Sequence, residues 1–521
     1  MGLPLLKVLL AVLSGVMLTA SFPPGRLSFL SWIALVPLLK GLEGRSPSQG
    51  FKLGLIAGFV HFLTLMYWIV VVLGHYGKLN IFVSLGPLLL LTLYLALYIA
   101  IFSSLTTGLM GTRFRIIFIA SFWVSLEYIR SNLLTGMPWC LLGYTQYKQL
   151  HLIQIADLCG VYGPSFLIVL INGLIYHIVF RRPWKGIGLL KWEVLIVAIL
   201  SAGTLAYGHY RLSERKEGKE AARILNAAII QASIDQSIKW DPAYQSTTMA
   251  VYQRLTREAY GFRPDLIVWP ETALPFFFQD NLRFSPQVLS MAKESGTIMI
   301  FGSPAYEQIR GVTRYYNRAY LLTPDPQQPP QYYDKVHLVP FGEYVPLKKL
   351  LSFVSRLVPA AGDFEPGDKI APVKAGGLSM GILICFEAIF PELARGLTRE
   401  GANLLINLTN DAWFGMTSAP YQHLSMAVFR SVENRRPMIR AANTGFSAFI
   451  GPQGKIQKLS GLFHEEVLEA PMKISGRSLT PYSRLGDLFA IFLLVISFFK
   501  VCSCFRVTWI SKRKGPGCHL K

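Results

Sequence analysis

Charged residues are scarce in this sequence. Only 16% of its 521 residues are Asp, Glu, Lys or Arg, against 52% hydrophobic. A soluble chain carries about a quarter charged residues, so the shortfall excludes a wholly water-exposed protein and requires lipid. Acidic residues are the scarcer kind: 30 Asp and Glu face 51 Lys and Arg, a formal charge of +21. That excess has two readings, a nucleic-acid surface or the cytoplasmic loops of a membrane protein. There is no compact Lys/Arg-rich motif for nucleic-acid readout. Many basic residues instead lie in short segments between apolar runs, so no nucleic-acid partner is expected. Cysteine is sparse too: Cys140, Cys159, Cys385, Cys502, Cys504 and Cys518. No pair shows zinc-site spacing together with histidines, and neither a metal nor a cofactor is indicated. Between Gly208 and Gly486 Cys385 stands alone. That stretch therefore has no internal disulfide, and its thiol is either inert and buried or reactive. There is no internal repeat and no low-complexity tract.

Eight apolar runs approach the roughly 17–25 residues that span a bilayer as a helix. They are Leu5–Ala20, Leu27–Leu39, Leu53–Leu73, Ile81–Leu109, Ile116–Ile129, Pro164–Phe180, Trp192–Tyr207 and Leu488–Phe505. The second and fifth are short, the fourth is broken by Gly86-Pro87, and the eighth contains Lys500. The first has the alternative reading of a cleaved signal peptide, against which stand the spans that follow at once and a poor cleavage site. Alternate loops are basic: Lys40, Arg45 and Lys52; Arg113 and Arg115; Arg181, Arg182, Lys185 and Lys191; and the tail with Arg506, Lys512, Arg513, Lys514 and Lys521. The intervening loops are poorer. The positive-inside rule puts both termini in the cytoplasm. Three regions result: a membrane domain of seven spans over 1–207, an extracytoplasmic domain over 208–486, and a last span with a basic cytoplasmic tail over 487–521.

The central region reads as an α/β domain inserted in a polytopic α-helical membrane protein. Short β-rich runs recur at Ile224–Gln231, Leu266–Trp269, Ile298–Phe301, Ala319–Leu322, Met380–Ile384, Leu404–Asn407 and Ala448–Ile450. Helical stretches such as Pro242–Tyr260 and Pro391–Glu400 lie between them. Alternating strands and helices predict a layered α/β fold.

Three segments of this region carry chemistry. In Val268-Trp269-Pro270-Glu271-Thr272-Ala273 an apolar strand runs into a carboxylate at its end, where active-site groups of open sheets collect. Apolar surroundings raise a carboxylate pKa towards that of a general base. In Asp334-Lys335-Val336-His337, Lys335 is suited to hold oxyanion charge or to depress the pKa of a nearby thiol. A Cys–His pair through His337 is disfavoured, because spacing identifies no orienting carboxylate or amide. In Gly381–Glu392 an apolar strand delivers Cys385 to its end, just before a helix start near Pro391. Sulfur attacks as thiolate, so it needs electropositive company. Singly, these are also what a loop glutamate, a solvated lysine and a buried cysteine look like.

Their order and context together resemble the Glu–Lys–Cys signature of the nitrilase superfamily. With spans on both sides, the chain resembles that superfamily's membrane-embedded branch, the apolipoprotein N-acyltransferases. Supporting stretches are Pro138-Trp139, Gly143-Tyr144, Trp240, His337–Tyr344, Asn407–Gly415 and Arg440–Gly445. The resemblance runs from the first span to the last, and soluble nitrilases lack the membrane part. It implies an αββα sandwich with Glu271 as base, Lys335 for the oxyanion and Cys385 as nucleophile. It implies supporting roles for Trp240, Glu343, Phe386 and Glu387. Many relatives carry tyrosine at position 386, so any role of that hydroxyl is lost here. The implied reaction moves an acyl chain from a phospholipid, through a Cys385 thioester, to the α-amino group of a diacylglyceryl-cysteine on an apolipoprotein. The implied location is a bacterial inner membrane, with catalysis on the periplasmic side.

Two other classes compete. A membrane-anchored amidase would share the triad, use water as second nucleophile and need no array of spans. A transporter with a degenerate domain would carry several intramembrane ionisable residues; the runs hold chiefly His61 and Glu127. The topology is open to test by substituted-cysteine labelling in intact cells. A cysteine near 300 is expected to react with a membrane-impermeant reagent, and cysteines near 114, near 184 and after 506 are expected to be protected. Labelling at 184 and not near 300 would invert the orientation.

Overall fold

The structure, a computed structural model, describes residues 3–109, 114–180, 187–213, 223–346, 363–474 and 478–513, without the side chains of 187–190 and 504–513. Arg113, Arg181, Arg182, Lys185, Lys514, Cys518 and Lys521, and the side chains of Cys504, Arg506, Lys512 and Arg513, fall outside that description.

The central region folds as two six-stranded sheets. The first contains β1 (Arg223–Gln231), β2 (Leu266–Val268), β3 (Ile298–Ile309), β4 (Val312–Leu322) and β5 (Gln331–Asp334). The second contains β6 (Val373–Ala375), β7 (Leu378–Ile384), β8 (Leu404–Thr409), β9 (Met438–Ala442), β10 (Ala448–Ile450) and β11 (Ile456–Leu459). β12 (Glu466–Ile474) returns to the first sheet, giving the orders β12-β1-β2-β3-β4-β5 and β11-β10-β9-β8-β7-β6. In each sheet three adjacent strands are parallel: β1-β2-β3 and β7-β8-β9. Ile229, Leu266 and Val268 of one sheet meet Ile382, Leu404 and Ile406 of the other in one buried cluster. Helices Gln245–Ala259 and Ser285–Ser295 cover the outer face of the first sheet. Helices Pro391–Arg399 and Ala419–Asn434 cover the second. The layers are therefore αββα, as expected.

The two helix layers have different surroundings. Leu393, Leu397, Leu424 and Phe429, from the second layer, belong to one apolar core with Leu18, Phe62, Leu126 and Leu170 of the amino-terminal helices. Every residue of the Ala419–Asn434 helix but Tyr421 is buried, charged residues included.

The eight apolar runs do not become eight equivalent helices. Among the described residues Ile81–Thr107, Tyr162–Phe180 and Lys191–Ser213 are each long and apolar enough to cross a membrane. Pro47–Leu65 and Trp68–Tyr76 pass only as a pair, bent by 44°. Leu5–Ala20 and Leu488–Ser503 are shorter apolar helices. The run Leu27–Leu39 is a 3₁₀ turn, Ser28–Trp32, followed by a short helix, Val36–Leu42. The run Ile116–Ile129 lies in helix Arg115–Asn132, where Arg115, Glu127 and Arg130 are buried. Glu127 Oε1 accepts from Trp123 Nε1 at 3.0 Å and from the Leu142 N–H at 2.7 Å. Hydropathy sees the length of a run, but not where its backbone breaks or where its charges find partners.

Small residues allow the closest helix pairing. Gly54 and Gly58 of Pro47–Leu65 face Ile99, Ser103 and Ala96 of Ile81–Thr107, and a Cβ at either glycine would overlap their backbone. This is the small-residue packing that joins helices in lipid.

Buried ion pairs tie the helices to the sandwich. Asp157, fully buried, accepts from Arg435 Nη2 at 2.8 Å, Arg211 Nε at 3.0 Å and Tyr207 Oη at 2.8 Å. Arg435 ends the Ala419–Asn434 helix, and Arg211 lies in Ile187–Ser213. Removing one partner of a buried pair strands the other, at about 3 kcal/mol or more. Asp157→Asn is therefore expected to lower the melting temperature of the detergent-solubilised protein clearly. An unchanged melt would remove this lock from the fold's stability.

Candidate active site

Glu271, Lys335 and Cys385 follow one another at separations of 64 and 50 residues in sequence, and strand ends bring them together. β2 ends at Val268, and its chain turns through Pro270 into Glu271 and Thr272. Thr272 has φ +44°, a left-handed conformation rare for a branched residue. The turn presses on β3 at Gly302, where a Cβ would overlap the Glu271 and Thr272 backbone. β5 ends at Asp334 and delivers Lys335. β7 ends at Ile384 and delivers Cys385 as the first residue of the 3₁₀ turn Cys385–Ile389. Cys385 has φ +51°, and a non-glycine residue held there is strained by about 1–3 kcal/mol.

Lys335 Nζ lies 2.9 Å from Glu343 and 3.5 Å from Glu271 Oε1. Asn317 Nδ2 donates to both carboxylates, at 2.8 Å to Glu271 Oε1 and 2.8 Å to Glu343 Oε1. The Asn410 N–H donates to Glu271 Oε2 at 2.8 Å, and the Val339 N–H to Glu343 Oε2 at 2.8 Å. Burial pulls the Lys335 ammonium down, but the Glu343 and Glu271 carboxylates outweigh it and hold the amine protonated. The thiol behaves differently from the electropositive setting expected for it. Burial pushes the Cys385 thiol up, the Glu271 carboxylate adds to that, and Lys335 only partly opposes it. Cys385 therefore rests as the thiol, and attack requires a base close by.

Glu387 joins the lysine loop to the cysteine turn. Its carboxylate is fully buried and accepts the N–H groups of Ile384, Val336 and His337 at 2.7, 2.7 and 3.1 Å. Tyr333 Oη adds a bond at 3.1 Å. Burial pushes its pKa up to about 7, against these hydrogen bonds and the Lys335 charge. Phe386 packs against Phe390 at 5.0 Å and against His337 at 5.9 Å between ring centroids. His337 itself stacks on Phe390 at 3.7 Å, and burial, then Lys335, pushes it down to about 4, so its ring stays neutral.

Trp240 is 46% exposed. Its neighbour Lys239 enters the site instead, donating to Thr272 Oγ1 at 2.9 Å and to the Glu271 carbonyl at 3.4 Å. Burial pushes Lys239 down to about 8. Gln236, from the same loop, accepts from Asn410 Nδ2 at 2.7 Å. Sequence reasoning missed Asn317 and Lys239. Each is a single polar residue whose only signal is a polar side chain amid buried neighbours. Among the described residues no group of His, Cys, Asp and Glu is arranged to hold a metal ion.

Two family models match the chain: apolipoprotein N-acyltransferase N-terminal domain over residues 14–174 and carbon-nitrogen hydrolase over residues 226–482. An apolipoprotein N-acyltransferase of Geobacter metallireducens is 47% identical over 495 residues, covering 94% of this chain and 93% of its own. One of Methylococcus capsulatus is 33% identical over 488 residues, covering 92% of each. A solved carbon-nitrogen hydrolase of Helicobacter pylori overlaps 48% of this chain and 90% of its own, at 16% identity and a TM-score of 0.37.

The electrostatics predict opposite effects of one substitution on two reactions of Cys385. Neutralising Glu271 removes a charge that raises the thiol, so Glu271→Gln is expected to alkylate faster than the native protein with iodoacetamide at pH 8. The gain is about tenfold per unit by which the thiol falls. Acylation by substrate, which needs the base, is expected to fall in the same variant. Slower alkylation of Glu271→Gln, read by intact mass, would contradict the charge assignment.

Proposed function

Because this chain belongs to the apolipoprotein N-acyltransferase family, we propose that it N-acylates lipoproteins by a Cys385 thioester drawn from a phospholipid. It is a membrane protein with a nitrilase-superfamily acyltransferase domain. The apolar core shared by helix layer and membrane helices carries the reading: Phe386, beside the nucleophile, packs on that core together with Val336 and Phe414. A small soluble amide has no use for such a wall. An acyl chain leaving a bilayer keeps an apolar environment only if the site supplies one.

The reaction proceeds in two transfers. Glu271 takes the Cys385 proton as sulfur attacks the ester carbonyl of a phospholipid. Lys335 Nζ and backbone N–H groups stabilise the oxyanion. The intermediate collapses, the lysophospholipid alkoxide leaves with the proton held by Glu271, and the acyl chain remains as a thioester. The α-amino group of a diacylglyceryl-cysteine then attacks the thioester carbonyl and gives its proton to Glu271. The thiolate leaves and recovers that proton, and an amide is released. Glu343 holds Lys335 in place, Glu387 fixes the two loops against each other, and Trp240 flanks the site from an exposed loop. Each step balances without metal or cofactor.

The helices that pass the length test, the bent pair and the shorter apolar helices together form the membrane domain over 1–207, with a last span after 487. The catalytic domain over 208–486 lies on the periplasmic side of a bacterial inner membrane. There it meets both its partners, the phospholipid donor and the lipidated acceptor.

A hydrolase with the same triad is separated from this reading by the fate of the thioester. With phospholipid alone, native protein is expected to accumulate one acyl adduct on Cys385 and release stoichiometric lysophospholipid. Adding a diacylglyceryl peptide with a free amino terminus should discharge the adduct into an amide, and the acetylated peptide should not. Cys385→Ala should form no adduct, and Lys335→Ala should form it about 10²–10³-fold more slowly. Steady fatty-acid release without acceptor, at the rate seen with it, would favour the hydrolase.

A further inference from the structure

The Ala419–Asn434 helix presents two adjacent polar side chains to different partners, and neither takes part in the reaction above. His423 reaches the nucleophile. Its Nε2 lies 3.1 Å from the Cys385 carbonyl oxygen, which can only accept, so Nε2 carries the hydrogen. Its Nδ1 lies 2.9 Å from Asp411 Oδ1 and 3.1 Å from Arg440 Nη2. Asp411 is fixed in turn by Thr409 Oγ1 at 2.9 Å and Arg440 Nη2 at 2.7 Å. Arg440 also bonds Asn407 Oδ1, and Asn407 Nδ2 donates to the Leu383 carbonyl at 2.9 Å. A buried network thus grips the backbone on both sides of Ile384, immediately before and at the left-handed Cys385.

Gln422 reaches the apolar helices. Its Oε1 accepts from Trp139 Nε1 at 2.8 Å and Trp68 Nε1 at 3.2 Å. Its Nε2 donates to the Leu65 carbonyl at 3.3 Å, where the bent apolar helix breaks. The two indoles stand 5.0 Å apart, and the Trp139 ring is 5.8 Å from the His423 ring. All of these side chains are buried. Soluble chemistry of this type needs no link from the nucleophile to a tryptophan pair among apolar helices.

We propose that Gln422 and His423 form a joint by which the packing of Trp68 and Trp139 sets the attack position of Cys385, with His423 as a positioning residue for the nucleophile. The proposal rests on Cys385 being the nucleophile. Its physical basis is the strained φ of Cys385: the backbone does not hold that conformation by itself, so an external bond to its carbonyl decides where sulfur stands. A change in how the helices pack around the tryptophans moves Gln422, and the rigid helix carries the movement to His423.

The test uses the full chain in phosphatidylethanolamine nanodiscs, with single-turnover acylation of Cys385 read by intact mass at several lipid fractions. His423→Leu is expected to slow acylation about 10²-fold, with the half-saturating lipid fraction unchanged. His423→Gln keeps an N–H for the carbonyl and should recover about tenfold over the leucine variant. Gln422→Leu should slow acylation by a smaller factor. The Gln422→Leu/His423→Leu double variant should be no slower than His423→Leu, because the two changes break one path. If His423→Leu loses its melting transition, the His423→Gln and Gln422→Leu rates decide. Native rates in all three single variants, or losses that multiply in the double variant, would overturn the joint. A native protein that never forms the adduct would overturn the thioester reading itself, a separate outcome visible before any variant is made.

Discussion

The Lys335 ammonium sits between two carboxylates in a site almost closed to water. Burying three charges is expensive, several kcal/mol per ion, unless each is paired and its remaining positions are hydrogen-bonded. Here the requirement is met by neighbours from four directions: Glu343, the Asn317 amide and the backbone N–H groups of Asn410 and Val339. Much of the rest follows from that arrangement. With its charge engaged by carboxylates, Lys335 has little left over for the thiol, and Cys385 rests protonated. In the proposed reaction Glu271 then acts as base during attack. On that proposal the lysine supplies its field to the oxyanion, which forms later, instead of to a standing thiolate.

The same economy explains Glu387. A lone carboxylate, fully buried, gathers three backbone N–H groups from two loops. Its pKa near 7 records the strain of keeping that charge inside. In exchange the Lys335 loop and the Cys385 turn are held to one geometry, the condition for positioned catalysis. Thr272 and Cys385 are both held at positive φ by surrounding bonds and not by their own preferences. Strain stored at such points persists only where the surroundings over-determine it.

Much of this was legible in the sequence, for reasons that differ by element. β1, β7, β8 and β10 are short apolar runs bounded by polar turns, and their patterns locate them almost to the residue. β9 was hidden because Arg440 interrupts its apolar run, although that arginine is fully buried against Asp411. β3 and β4 extend well beyond their apolar cores as a long hairpin closed by Arg310-Gly311, both at positive φ. A turn of that kind carries no strong signature when its first residue is arginine. Cys385 and its partners were legible as a set because strand ends, a proline and three chemically apt residues recur in a fixed order. Asn317 was not, since a single amide in a strand has no period. The eight apolar runs were legible as apolar, and the break at Met66-Tyr67 was not, because it is made by contacts with a helix more than three hundred residues away.

An αββα sandwich exposes two helix layers, and in this chain the layers face different media. The layer over β1–β5 keeps polar faces, whereas the layer over β6–β11 is sealed into the core of the apolar helices. Cys385 stands at the end of β7, in the sheet that backs the sealed layer. The carboxylate–lysine–thiol set thus opens beside an apolar wall that includes Phe386, Phe390 and Phe414. For an acyl chain already in lipid, entering such a site exchanges one apolar environment for another, so little hydrophobic free energy is lost on the way to the thiol. For water the same wall is a barrier, which on the proposed mechanism lengthens the life of a thioester until an amine carried on a lipid anchor arrives. Transfer and hydrolysis would then differ by the medium on one side of the same arrangement, and not by the reacting groups.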